Sequence, residues 1–570
     1  MTLSPSERIA GLLAPLFALR REDDLGIGDV EALRQFIAWS HAIGFRLVQL
    51  LPINETGGDN SAYNAISSRA IDPTTLQLAP GSPEDLTIEA FAEVTREIDL
   101  PALRRGAVKY EIVKPLKKKL LERAFTRFRE RPPNEKFTTF CDAENIWLDD
   151  YTLFRVLMET NGERETWDTW PQSSITAARA WLDSLGKDAR GEVEERRQFF
   201  RYVQWVAHEQ WRAVKDYAEE KGVALMGDIP FGVSYYSADV FSQPDLFRLA
   251  WSGGAPPEPY FKDDEFTQKW GQNWGIPLYD WTRMRARDFD WWRQRVRGVK
   301  QIFHLFRIDH ILGFYRIYAF PWRPDRNAEF LPLSWEEMRQ QTDGREPHFA
   351  PRDDHTAENC EANRREGEEY LRIVLEESGA ARVVGEDLGT VPDYVRPSLH
   401  SLGIAGFKIP QWENYPDQRS IPGSAYERLS VATFATHDHQ PVRAIWDKAF
   451  VEGRHADQAR RDLAKIGEFA GFMPHDSMDY LHDFCPAIFE ALFRCESWIA
   501  IVMITDLLGR KDRFNVPGTA GSSNWTRRLH TTVSKLGRGK SLRRQLQLVR
   551  RLIERSGRLS GAESAAKEGK

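Results

Sequence analysis

Six short apolar runs, each turning polar toward its C-terminal end, leave this chain few folds to choose from. RLVQLLPI (46–53), VALMGDIPFGV (223–233), HLFRID (304–309), ARVVGED (381–387), AGFKIP (405–410) and LSVATFATHD (429–438) read as strands covered on both faces. Amphipathic helical patterns lie between them. DVEALRQFIAWSHAIGF places Val30, Leu33, Phe36, Ile37 and Ile43 on one face, behind Asp29 as N-cap. Residues 196–222 read as a long amphipathic helix closing on Gly222. Strand–helix alternation predicts an α/β fold with a parallel sheet.

The chain has 570 residues, a size that a barrel with insertions reaches as one catalytic unit. Residues 1–535 read as that unit. Two stretches break its rhythm: 77–200 reads as an inserted helical subdomain, and 323–370 as a charged insertion. A basic segment, 536–570, carries Leu542, Leu546, Val549 and Ile553 on one helical face. It reads as a terminal helix packed on the body, and the last dozen residues as disordered.

The formal net charge of -6 argues against a general nucleic-acid binder. No apolar run reaches the roughly 18 residues of a membrane span, and the broken N-terminus is not a signal peptide. Four cysteines without a CxxC pair indicate neither a zinc site nor a disulfide framework, so a reducing cytoplasm is expected. Aromatic residues are abundant, with 19 Trp, 16 Tyr and 32 Phe. Most suit a core; flat rings also cover the apolar faces of sugars.

Four of the strands end in acids: Asp228, Asp309, Glu386 and Asp438. Any one of them reads as a cap for the next helix. Four together, with Arg307, His310 and His437 beside them, point to a shared site at the C-terminal ends of barrel strands. Arg307 and Asp309 are two apart and share a side of their strand. A guanidinium keeps a neighbouring carboxylate ionised, as a nucleophile requires. Glu386 and Asp387 are adjacent, so at most one faces the centre; Glu386 has the longer reach and suits a general acid. His310 has the opposite parity to Asp309. It reaches a site only if the chain bends there, and otherwise is a core histidine.

The chain shows neither a well-placed GxGxxG nor a P-loop, so nucleotide chemistry lacks support. A metal is possible but not demanded, and no cofactor is expected. Carboxylates with aromatics match glycoside chemistry, in which one acid protonates the leaving oxygen and another attacks the anomeric carbon.

At this point the motifs resemble one family, the 4-α-glucanotransferases of the amylomaltase type (family 77 glycoside hydrolases). The likeness runs from about residue 10 to about residue 530. GLLAPLFALRREDDLGIGDVEALRQF, LLPINETGGDNSAYN, GDIPFGV, GQNWGIPLY, RIDHILGF, GEDLGTVP, LGIAGFK, THD and DLLGRKDRFNVPGTAGSSNW stand in the family's order. The resemblance implies a (β/α)8 barrel related to the α-amylase group and a retaining double displacement on α-1,4-glucans and maltooligosaccharides. It also implies maltooligosaccharide or glycogen metabolism in the cytoplasm. By it, Asp309 matches the nucleophile, Glu386 the acid/base and Asp438 the third carboxylate. Arg307 matches the arginine that orients the nucleophile. Asp228, His310 and His437 match supporting or sugar-binding positions. Asn273 and Trp274 match a loop beside the cleft, and Tyr63 an aromatic sugar contact. Tyr260 and Phe261, in PPEPYFKDDEF, are further candidates for the cleft wall.

The chain also departs from the family's pattern. SPYQ is here SAYN, with Ala62 and Asn64, and THDN is THDH, with His439. These changes spare the three carboxylates and bear on the subsites. Two other readings stay open: a hydrolase of the same α-glucans, and a catalytically silent glucan-binding protein.

Overall fold

The computed structural model describes residues 3–258, 264–452, 456–517 and 523–559. In chain order its strands are β1 (Ile9–Leu13), β2 (Leu47–Gln49), β3 (Ala224–Pro230), β4 (Phe247–Ala255), β5 (Gln272–Tyr279), β6 (Leu305–Asp309), β7 (Ile317–Phe320), β8 (His348–Ala350), β9 (Arg382–Gly385), β10 (Gly406–Lys408), β11 (Ser430–Thr433) and β12 (Ile499–Met503). Eight of them pair in the order β10-β11-β12-β1-β2-β3-β6-β9, every pair parallel. A parallel bridge from Val384 to Ala405 joins the two ends. The result is the (β/α)8 barrel that the strand–helix rhythm and the family resemblance imply.

All six runs read as strands carry one. Two barrel strands escape that reading, β1 and β12. Each is a five-residue run buried throughout, and periodicity does not separate so short a run from a buried helix segment. They pair with each other, Ile9 opposite Ile499, which brings both ends of the chain to one side of the barrel.

The helix Val30–Ile43 forms as its sequence predicts, with Asp29 Oδ1 accepting from the Ala32 N–H and Gly44 closing it at a φ of 100°. The long helix spans Lys187–Glu220 rather than starting at 196. Its first turns are exposed and charged, so they carry no amphipathic signal. Everything from the end of β2 to the start of β3 is helical or irregular, including the helices Tyr110–Arg129 and Glu135–Thr160.

The charged stretch 323–370 divides in two. Its last part, from Ala357, belongs to the helix Ala357–Ser378 that precedes β9. That helix buries Gly367, Tyr370, Leu371 and Val374, four positions on one face of an otherwise charged sequence. The earlier part builds onto a second, antiparallel sheet, β5-β4-β7-β8. This sheet has its own small core of Trp270, Tyr318, Phe320, Trp322, Phe330 and Met338. GQNWGIPLY is therefore a strand, β5, and not a loop. Its partners come from three distant segments, which no local pattern announces.

The helix Lys540–Arg555 packs Leu546, Val549, Leu552 and Ile553 inward. Behind it, buried Arg558 donates to the carbonyls of Ile9, Phe493, Cys495, Ser497 and Trp498. The segment after 559, read as disordered, lies outside the described residues. All four cysteines are free. Among the described residues no helix is long and apolar enough to cross a membrane.

Candidate active site

The C-terminal ends of the barrel strands open into a cleft of about 2780 Å³, bounded by the helical segment, the second sheet and the loops after β9, β11 and β12. Asp309, Glu386 and Asp438 all line it, with Arg307, His310, His437, Tyr63 and Trp274. Residues separated by hundreds of positions meet because every barrel strand delivers its last side chains to the same mouth.

Asp309 ends β6, and Arg307, two residues earlier, lies on the same side. Arg307 Nη2 is 2.6 Å from Asp309 Oδ1, and Nη1 is 2.6 Å from Asp228 Oδ2. Asp228 is fully enclosed, while Asp309 keeps 28% of its side chain exposed. The Tyr63 hydroxyl donates to Asp228 Oδ2 at 2.7 Å. Asp228 does not line the cleft; it braces Arg307 and Tyr63 from behind, so of its two expected roles the supporting one holds.

The chain bends sharply after Asp309. His310 takes a left-handed conformation, φ 48° and ψ 54°, which is uncommon outside glycine and costs on the order of 1 kcal/mol. The bend turns its ring into the cleft, edge-on to Trp274 with centroids 4.7 Å apart. It also points the His310 N–H at Glu386 Oε2, 2.9 Å away. The carboxyl of Glu386 is thus tied to the residue that follows Asp309. Gly385 lets this turn approach β9: a Cβ there would stand 2.6 Å from the Ile311 side chain.

Burial pushes the Glu386 carboxyl up to about 8; Arg307 pulls it down, and Asp309 adds to the rise. Its neighbour Asp387 faces away, accepting from the Phe407 N–H at 2.6 Å and from Arg396 at 3.0 Å. Of the adjacent pair only Glu386 enters the cleft, as strand parity requires.

Asp438 behaves oppositely. Burial opposes its charge, yet His437, the Asn515 amide and His439 hold it below the usual carboxylate range. Asn515 Nδ2 donates to Asp438 Oδ1 at 2.6 Å, His437 Nε2 lies 3.1 Å from Oδ2, and Arg513 donates to the Asp438 carbonyl. The His437 ring stacks on Tyr63, centroids 4.9 Å apart and 7° from parallel, with Trp525 beside both. The site therefore holds one raised carboxyl and one lowered carboxylate, the division of labour that acid–base chemistry uses.

Arg513, Asn515 and Trp525 were not singled out as site residues. They lie in the irregular run DLLGRKDRFNVPGTAGSSNW, which has no periodicity to read. The expected sugar contact by Asn273 gives way to a structural role. Its amide bonds Ser252, the Trp322 carbonyl and Asn327, all within the protein. Trp274 is the exposed member of that pair, at 38%. Tyr260 and Phe261 lie outside the described residues. Among the described residues no group of three or more His, Cys, Asp or Glu side chains is arranged to hold a metal.

A family model described as 4-alpha-glucanotransferase matches residues 14–533. A 4-alpha-glucanotransferase of Chlamydia pneumoniae is 30% identical over 549 residues, 92% of this chain and 92% of that one. Another, of Thermus thermophilus, is 28% identical over 560 residues, covering 96% and 99% of the two chains. Among solved structures, amylomaltase from Streptococcus agalactiae in complex with acarbose superposes with a TM-score of 0.72 at 22% identity, over 97% of this chain and 100% of that one. Amylomaltase from Corynebacterium glutamicum gives 0.75 at 20% identity, over 96% and 75%. At these identities the two structures speak for the fold.

Proposed function

The chain belongs to the 4-alpha-glucanotransferase family, glycoside hydrolase family 77, and on that footing we propose that it transfers α-1,4-glucan segments between maltooligosaccharides by a retaining double displacement. The observation that carries this reading is the pairing of Asp309, held by Arg307, with Glu386, whose carboxyl stays protonated to about 8. Asp309 attacks the anomeric carbon while Glu386 gives its proton to the leaving 4-oxygen. A covalent glycosyl–Asp309 ester forms and the shortened glucan departs. Glu386, now a carboxylate, takes the proton from the 4-hydroxyl of an incoming glucan, and that oxygen displaces Asp309.

Asp438, with His437 and Asn515 around it, holds ring hydroxyls and carries the negative charge that favours an oxocarbenium-like transition state. Tyr63 and His437 form a flat apolar platform beside it. The acarbose held by the Streptococcus agalactiae amylomaltase supports an α-glucan-like ligand for this cleft. Four free cysteines suit a reducing cytoplasm.

The test is incubation with maltotriose, resolving products by length and assaying reducing ends. Longer and shorter glucans together, with reducing ends constant, are expected. Shorter products with rising reducing ends would mean that water is the acceptor, and the reading as a transferase would fall.

A further inference from the structure

His439 sits where the family's pattern has asparagine, one residue past the third carboxylate. Its surroundings determine which nitrogen carries hydrogen. The backbone N–H of Thr436 points at Nδ1, 3.2 Å away, and the Thr436 hydroxyl lies 2.7 Å from the same atom. An N–H donates, so Nδ1 accepts and bears no hydrogen. The hydroxyl oxygen itself receives the Asp438 N–H at 3.4 Å, leaving its own hydrogen for Nδ1. Burial lowers the His439 ring to about 4, so it is neutral at working pH, and its one hydrogen is on Nε2.

Nε2 has no protein partner among the described residues, and His439 lines the cleft. The ring also meets Trp412 edge-on, centroids 4.9 Å apart at 66°. Trp412 lines the same cleft and is 49% exposed, although it is large and apolar. One turn therefore presents two faces. His437 stacks on Tyr63 beside Asp438, while His439 turns to Trp412 on the loop after β10. A donor without a protein acceptor, next to an uncovered indole, has the chemistry of a sugar-ring contact: hydrogen bond to a hydroxyl, flat ring on the apolar face.

We propose that His439 and Trp412 form a glucan subsite adjoining the reacting ring, with His439 Nε2–H donating to a sugar hydroxyl and Trp412 covering the pyranose face. This rests on the glucanotransferase reading above. It makes His439 a specificity-determining residue, and the THDH departure its sequence mark.

The test uses His439→Asn and Trp412→Leu in the full chain. Asparagine keeps an oxygen near the Nδ1 position to accept from Thr436, and removes the Nε2–H. Steady-state transfer to isotopically labelled glucose is measured in two arms: donor maltohexaose varied at saturating glucose, and glucose varied at saturating donor. The proposal expects His439→Asn to raise one of the two KM values about 3–10-fold, with kcat within about twofold and Tm unchanged. Trp412→Leu should raise the same KM, and the double variant by less than the product of the two. The arm that moves identifies the donor or the acceptor side. Both KM values unmoved in an active enzyme, or a KM change that follows a lowered Tm, would overturn the subsite. A wild-type enzyme that transfers nothing to glucose or maltotriose would instead overturn the parent reading, and this one with it.

Discussion

The Arg307 guanidinium lies 2.6 Å from the Asp309 carboxylate, and its other terminal nitrogen lies 2.6 Å from buried Asp228. One planar cation thus ties a cleft-facing acid to an enclosed one. Lysine offers a single point charge and cannot span both. Arg307→Lys is expected to lower kcat about 100-fold through loss of positioning. Arg307→Met leaves the Asp228 charge unpaired, and should cost about 3–5 kcal/mol of stability. Turnover assays and denaturant melts read the two effects separately.

Asp309→Asn removes the attacking oxygen's charge, and Glu386→Gln removes the transferable proton. Each is expected to abolish nearly all transfer from maltotriose while leaving maltotriose binding measurable by calorimetry. Turnover like the wild type in either variant would defeat the assignment of both roles.

The raised carboxyl of Glu386 makes a pH prediction with a definite sign. The group is an acid only while protonated, so kcat/KM for maltotriose should fall as pH rises through about 8. A maltosyl fluoride donor needs no proton on its leaving group, and its glycosylation step should lack that alkaline limb. Stability follows the same group. Its folded pKa lies above its unfolded value, so its contribution is present at low pH and is lost as pH rises toward 8. The Tm of Glu386→Gln relative to wild type should therefore climb from about pH 4.5 and level off beyond about 8.

Arg558 binds five backbone carbonyls at the N-terminal ends of β1 and β12 and nearby, far from the strand ends that carry the acids. Arg558→Met leaves those buried acceptors without their donor. A loss of about 3 kcal/mol or more is expected, with KM for maltotriose unchanged in whatever fraction remains folded. A change in KM at unchanged Tm would contradict this purely structural role.

The catalytic core was legible because its signal is local. Each acid sits at the end of an apolar run, and strand parity alone pairs Arg307 with Asp309 and separates Glu386 from Asp387. The bend at His310 was legible only as a condition. Whether the ring reaches the cleft depends on a left-handed residue that no periodicity encodes. Asn273 illustrates the opposite failure. It stands beside the cleft in sequence order, yet its amide is consumed by Ser252, Trp322 and Asn327, partners up to 54 residues away.

What the sequence determined by itself was the run of buried strands, the acids at their ends and the family those motifs resemble. These rest on period, parity and order along the chain, which folding does not alter. Tertiary structure alone decided the rest: the joining of β1 to β12, the second sheet that holds Trp274 at the cleft, and the contrasting ionisation of Glu386 and Asp438. The reason is that burial and neighbouring charge set a carboxyl's proton affinity. Both are properties of residues brought together from distant parts of the chain, here Arg307, His310, His437 and Asn515.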